Sequence, residues 1–262
     1  NAKIHFHLKT NANCPVLIAY ICLKIKSFMF GWFKKTPKNL EPINFSDIRV
    51  DIHSHLIPNI DDGAKDFEDS ISMIKELKKL GFSKIITTPH IMSDLYQNTP
   101  EIINSGLEKL KLALKKSDVD IEISAAAEYY VDYDFEQRIG KEKFLTLDGK
   151  HILIEFSFLE PPRNMDDIIF KLQLEGYIVV LAHPARYQYF TIDDYQSLNN
   201  RGVLFQLNLL SLTGYYSPQV KHNASLLIKN KFVSFIGSDC HNMHHAKLYY
   251  KCQSLPLWHE LV

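Results

Sequence analysis

A repeated cycle narrows the fold more than any other feature of this chain: a short β-branched apolar run, a polar residue at its end, then a segment with helical period. From Asp47 onward the runs are "IRVDI", "KIITT", "VDIEISAAA", "HILIEF", "YIVVLA", "VLFQLN" and "FVSFIG". Alternation of such runs with helical segments is the pattern of βα units on a parallel sheet, so seven strands of an α/β fold are expected. A chain of 262 residues, 46% hydrophobic, is long enough for one large α/β domain or two small ones.

The helical segments are marked at their ends. "DFEDSISMIKELKKLGF" places Phe67, Ile71, Ile74, Leu77 and Leu80 on one stripe, leaves Lys75, Lys78 and Lys79 outside it, and stops at Gly81. Further helices are expected around Glu101 to Lys116, Met165 to Glu175 with Gly176 as the stop, Asp193 to Asn200, and Gln219 to Lys229.

Polar residues then fall where such a fold places function, on the loops beyond the carboxyl ends of the strands. The first run ends in Asp51, His53 and His55, the second in His90, the third in Glu128, and the fourth carries Glu155. The fifth ends in His183, the sixth in Asn208, the seventh in Asp239 and His241. A single polar strand end is ordinarily a cap; seven in succession point to one shared site. Side chains two apart on a strand share a face, so His53 pairs with His55 and Asp239 with His241, while Ser54 and Cys240 face away toward a helix.

Imidazoles and carboxylates without thiolate suit manganese, zinc or iron. The candidates His53, His55, Asp62, His90, Glu128, Glu155, His183, Asp239 and His241 are nine, more than one ion can use. A site of several metals clamps both the attacking and leaving oxygens of a displacement at phosphorus, so phosphoester hydrolysis is the expected reaction class. Arg186, three residues after His183, offers a planar fork to a phosphoryl group, with pairing to Asp193 or Asp194 as the bland alternative. His222, His244, His245 and His259 have no strand-end context, and His5 and His7 lie in a poorly patterned tail.

Thirty basic and thirty acidic residues balance, which argues against a nucleic-acid partner. Cys14, Cys22, Cys240 and Cys252 show no C-x-x-C spacing, consistent with a reducing, cytoplasmic setting. The first forty residues differ: seven lysines and no acid surround "VLIAYICL" and "FMFGWF". Eight apolar residues fall short of the ~20 that span a bilayer. Residues 1–45 are expected outside the fold, as an upstream extension with Met29 the natural start, and the alternatives are a weak secretory signal or a basic tail resting on a membrane. Residues 46–262 are expected to form the domain.

Taken together, "DIHSH", "DDG", "TTPH", "AAEYY", "LIEF", "AHPARY" and "GSDCHN", in this order, resemble the polymerase and histidinol phosphatase (PHP) superfamily. They are most similar to its branch of manganese-dependent bacterial tyrosine-protein phosphatases, encoded with capsule and exopolysaccharide systems. The resemblance covers Ile48 to Asn242. It implies a distorted seven-stranded β/α barrel with three metals at the carboxyl ends of the strands. It also implies the nine ligands named above, with Asp62 rather than Asp61 chosen by spacing, and Arg186 as the phosphate-binding residue.

By the same resemblance, water activated at the metals attacks phosphotyrosine directly, and His241 or a metal-bound water protonates the leaving group. The partner would be a phosphotyrosine-bearing polysaccharide co-polymerase kinase in the cytoplasm. "SDCHN" lacks the glycine-rich loop that a nucleophilic Cys240 needs. One departure is that no arginine follows "SDCHN", where the branch often has one; His244, His245 and Lys247 are the substitutes on offer. The rival readings are a histidinol-phosphate or other small-molecule phosphatase, a nuclease or proofreading domain, and a metal-binding scaffold without catalysis. Tyr129, Tyr130, Tyr133, Tyr187 and Tyr189 are candidates for an aromatic rim that accepts phosphotyrosine, or for ordinary packing.

Overall fold

The computed structural model describes residues 40–262. Its strands are β1 (Val50–Asp51), β2 (Lys84–Thr87), β3 (His90–Ile91), β4 (Glu122–Ala125), β5 (Glu128–Tyr130), β6 (His151–Glu155), β7 (Ile178–Ala182), β8 (Leu204–Asn208) and β9 (Val233–Gly237). The helices are α1 (Phe67–Lys79), α2 (Pro100–Lys116), α3 (Tyr133–Arg138), α4 (Met165–Leu174), α5 (Ile192–Asn200), α6 (Pro218–Lys229), α7 (Met243–Cys252) and α8 (Pro256–Leu261). The cycle read from the sequence is therefore an α/β fold, with every strand pair parallel.

Local chemistry sets the helix ends. Asp66 caps α1 by accepting from the Asp69 amide, and Gly81, at φ 112°, turns the chain away from its end. Thr99 caps α2 ahead of Pro100, and Thr191 with Asp194 forms a capping box on α5.

Where a single seven-stranded sheet is expected, the strands are grouped in two: β1-β2-β4 and β3-β5-β6-β7-β8-β9. The second and third runs are each split, at Thr88-Pro89 and at Ala126-Ala127. Pro89 has no N–H to extend a ladder. Hydrogen bonds nevertheless cross both breaks, from Ala126 N to Thr87 O (2.9 Å) and from Glu128 N to Pro89 O (3.1 Å). Beyond β1 and β9 the chain segments also meet: Asp239 N donates to His53 O (2.7 Å), His55 N donates to Cys240 O (3.0 Å), and Ser54 and Cys240 form a parallel bridge.

Two apolar clusters are formed among the described residues. The larger joins the sheets to the helices. The smaller, of Val50, Ile52, Ile86, Ala126, Leu147, Leu153, Val180, Ala182 and Phe235 with Leu204 against it, takes a residue from each of the seven runs. This inner cluster is the floor beneath the strand ends.

Residues 40–45, ahead of the boundary expected after residue 45, pack against the C-terminal end of the domain. Leu40 and Ile43 donate to the carbonyls of Ser254 and Gln253, and Trp258 Nε1 donates to Ile43 O (2.9 Å). Phe45 is buried between Phe82 and Trp258, with ring centroids 5.3 and 4.9 Å away. Residues 40–45 thus belong to the domain, and sealing them is the task of α8. The rest of the N-terminal segment, including His5, His7, Cys14, Cys22 and Met29, lies outside the described residues.

Candidate metal centre

Strand periodicity delivers the polar residues to one place. Reading along alternate positions, Ile86 leads to His90, Ala126 to Glu128, Leu153 to Glu155, Leu204 to Gln206 and Asn208, and Phe235 to Asp239 and His241. The inward files that begin as core end as ligand candidates. His183 falls one residue out of phase after Ala182, and its backbone, at φ 35°, turns there into the left-handed region. Asp239 is also left-handed, at φ 56°.

All nine candidates converge. Their donor atoms form four overlapping groups, each with every atom within 4.8 Å of the others: His55, Asp62, His90 and His241; His53, His55 and Asp239; His53, Glu128 and His183; His90, Glu128 and Glu155. His53 Nε2 lies 3.2 Å from His55 Nε2 and 3.1 Å from Glu128 Oε2, and His183 Nε2 lies 2.9 Å from Glu128 Oε1. Asp62, half exposed, closes the outer side, 3.6 Å from His90 and 3.4 Å from His241. Cys240 faces away as expected, reaching Met73 of α1 at 3.7 Å, and Ser54 is buried.

A second row of residues aims the first. Asp61 accepts from His55 Nδ1 (2.8 Å), His90 N (3.1 Å) and Gly63 N (3.0 Å), which leaves His55 Nε2 facing the cluster. Gly63 is required there, since a Cβ would sit 2.1 Å from the His55 carbonyl. Gln206 Oε1 accepts from His183 N (3.2 Å) and His53 Nδ1 (2.8 Å), which leaves His53 Nε2 facing the cluster. Gln206 passes the network to Asn208 (2.9 Å), and Asn208 to Asp239 (2.6 Å).

Asp51, at the first strand end, is buried outside the cluster and binds Ser238 through N (2.7 Å) and Oγ (2.6 Å). Sequence reasoning missed the roles of Asp61 and Gln206. A glutamine inside the apolar run "VLFQLN" was the available signal, because a buried amide must find partners.

The electrostatics are those of a site built around cations. Burial opposes charge on His53 and His55, yet Glu128 with Asp239, and Asp61, outweigh it and hold both imidazoles above their ordinary range. Burial and then the Glu128 charge push the Glu155 carboxyl well above the usual carboxylate range. Glu128 is held well below that range, since His53 and His90 overcome its burial. Burial presses His183 down to about 4. Protons are thus shared out to keep like charges apart, and a divalent ion relieves the same conflict while displacing them. The buried Nδ1 atoms of His90 and His183 also lack hydrogen-bond partners. The donor set fits a metal centre.

Beside the cluster opens a cavity of about 680 Å³, whose lining includes Asp62, Glu155, His183, Arg186, Asp239 and His241. Arg186 lies 3.5 Å from Asp239 and is held between the rings of Phe158 (4.1 Å) and Tyr216 (4.7 Å), not paired with Asp193 or Asp194. Its charge therefore faces the cavity. Of the residues that stand where a second arginine was expected, His245 lines the cavity while His244 and Lys247 are exposed elsewhere. His241 donates through Nδ1 to Asp239 O (3.0 Å), which leaves one nitrogen, Nε2, facing Asp62.

The tyrosines divide. Tyr129 and Tyr187 are core, each accepting from a backbone amide, Tyr189 packs beside Tyr187, and Tyr133 is exposed on α3. Only Tyr130 of the five lines the cavity, together with Tyr96, Phe158 and Tyr216, which follow other strands.

An α/β fold that gathers imidazoles, carboxylates and a cavity-facing arginine at its strand ends defines a metal-dependent hydrolase class. Residues 49–253 match the family described as capsular polysaccharide synthesis, CpsB/CapC, and the chain belongs to it. It is 34% identical over 197 residues to the tyrosine-protein phosphatase YwqE of Bacillus subtilis, covering 74% of this chain and 78% of that one. It is 26% identical over 206 residues to the tyrosine-protein phosphatase CpsB of Streptococcus agalactiae, covering 74% and 83%. The fold superimposes with a TM-score of 0.70 and 32% identity, over 81% and 84% of the chains, on a structure from a study of YwqE and Streptococcus pneumoniae CpsB, described there as unique metal-dependent tyrosine phosphatases.

Proposed function

We infer that this chain is a metal-dependent protein-tyrosine phosphatase acting in capsule or exopolysaccharide synthesis. The observation that carries the chemistry is the convergence of nine donor residues from six of the seven strand ends beside a cavity that Arg186 faces. His53, His55, Asp62, His90, Glu128, Glu155, His183, Asp239 and His241 hold the ions, and the overlap of the four donor groups supports three of them, with manganese favoured over zinc or iron. When bound, such ions supply Lewis acidity and a water acidic enough to act as nucleophile near neutral pH.

The chain's own residues do the rest. Arg186 binds and orients the phosphoryl oxygens, and Phe158 and Tyr216 fix the plane of its guanidinium. Asp61 and Gln206 hold the His55 and His53 rings so that each Nε2 points inward. His241 is assigned to the metals, since its Nδ1 is committed to Asp239 O. The departing phenolate, with a pKa of about 10, needs little help and takes its proton from water in the open cavity.

The contacts across the two strand breaks, with the bridge from Ser54 to Cys240, support reading the two sheets as one distorted seven-stranded barrel. The substrate is a phosphotyrosine protein, assigned as the tyrosine kinase of the polysaccharide assembly system in the cytoplasm. Among the described residues no helix is long and apolar enough to cross a membrane. The test is steady-state hydrolysis of a phosphotyrosine peptide against histidinol phosphate, with manganese, after chelation, and in His53→Ala. Metal-dependent turnover of the peptide that disappears in the variant is expected. Preference for histidinol phosphate moves the chain to small-molecule chemistry, and failure on both substrates with metal bound leaves only a scaffold.

A further inference from the structure

The cavity rim has two chemically different arcs. Following the strand order β3-β5-β6-β7, the ends of the first three and the loops after them bring Leu95, Tyr130, Phe158 and Leu159 to the rim, and the segments from β7 onward bring Arg186, Tyr216, His241 and His245. The first arc is apolar and exposed: Leu95 keeps 69% of its surface in water and Leu159 keeps 90%. Neither leucine is on a loose segment. Leu95 sits in a tight turn closed by two hydrogen bonds between Met92 and Tyr96 (3.0 Å each), and Ser93 Oγ beneath it donates to Asp132 (2.6 Å). Leu159 follows Phe158, which stacks on Tyr187 and Arg186, and its own amide donates to Ser157 Oγ (3.1 Å) while Tyr189 OH donates to Ser157 O (2.9 Å).

A single exposed leucine needs no explanation. Two on braced turns, either side of Tyr130 along one cavity edge, form an apolar patch continuous with the site, and such patches mark binding. Resting on the phosphatase reading above, we propose that this arc is the specificity element of the enzyme, binding apolar side chains next to the phosphotyrosine in an extended peptide. With the phosphoryl group at Arg186, the cavity still has room for the phenyl ring and its neighbours, and the two leucines are the surfaces those neighbours meet. Recognition here comes from burial of apolar area, not from charge.

The test compares kcat/KM with manganese for O-phosphotyrosine, a phosphopeptide with leucine on both sides of the phosphotyrosine, and the same peptide with serine on both sides. The wild-type chain is expected to favour the leucine peptide on the order of tenfold, mostly through KM. In the double variant Leu95→Ser and Leu159→Ser that preference falls within about twofold, while hydrolysis of O-phosphotyrosine and the melting temperature stay unchanged, as suits exposed positions. No preference in the wild type, or a preference the variant keeps, overturns this inference and leaves the phosphatase reading intact, since O-phosphotyrosine is still cleaved. No cleavage of O-phosphotyrosine or of either peptide by the wild type overturns both.

Discussion

The inner apolar cluster and the cluster of candidate ligands above it are built by the same strands, one or two positions apart, and they behave as opposites. Leu153 and Glu155 are neighbours on one inward file, as are Ala126 and Glu128. The apolar layer is complete in itself, because dispersion and water exclusion need only close neighbours. The polar layer is not complete, because His53 and His90 answer the charge of Glu128 while Glu155 beside it stays in conflict with it. Stability is therefore concentrated in the first layer and function in the second, and the division can be tested by breaking each alone.

The largest effect is expected from Glu128→Ala, since Glu128 is the carboxylate that belongs to two of the four donor groups and contacts His53, His90 and His183. Turnover should fall by ~10³-fold, the scale of losing several kcal/mol of metal-assisted stabilisation, with bound metal measured by mass spectrometry falling in parallel. Leu153→Ala, on the same wall, should instead cost about 2–5 kcal/mol of folding stability, with metal content per folded molecule retained. If Leu153→Ala empties the metals while leaving the denaturation midpoint in place, the two layers are not separable.

How much of this division the sequence disclosed follows from the same physics. Runs such as "YIVVLA" and the stripe of α1 were legible because burial repeats with a fixed period, and the ligand candidates because imidazole and carboxylate at strand ends have few uses. The splitting of the second and third runs was not legible: Pro89 flags one break, but Ala126-Ala127 carries no local signal. The docking of Phe45 under Trp258 joins segments some two hundred residues apart and has no periodic trace. Asp61 and Asp62 are chemically alike and adjacent; spacing singled out Asp62, but that Asp61 aims His55 shows only in the fold.

A smaller effect sharpens the account of the polar layer. The folded-state pKa of Glu155 is raised by burial and by Glu128, so without metal its ionisation is paid for by the fold. Below the unfolded value, near pH 4, both states hold the proton and nothing is lost. As pH rises past it, the unfolded chain releases the proton first and stability declines. Metal-free Glu155→Gln should then melt roughly 2–4 °C above the metal-free wild type at pH 7, with the gap closing toward pH 4. With manganese saturating, the order should reverse, because the variant has lost a ligand. A variant that melts lower in both states at neutral pH would show that the carboxylates are not in conflict.

The smallest effect belongs to the opposite face of the same segment. Cys240 stands between Asp239 and His241, yet it points to Met73, and burial pushes its thiol up to about 12. Thiolate is the reactive form, so between pH 7 and 9 native protein treated with iodoacetamide should leave the Cys240 peptide unalkylated and phosphatase turnover unchanged. Cys240→Ser should likewise keep its kcat, with only a modest fall in melting temperature from the lost packing. Inactivation that tracks alkylation of Cys240 would place the nucleophile on the chain itself, and the ligand layer would then have to be read as structural.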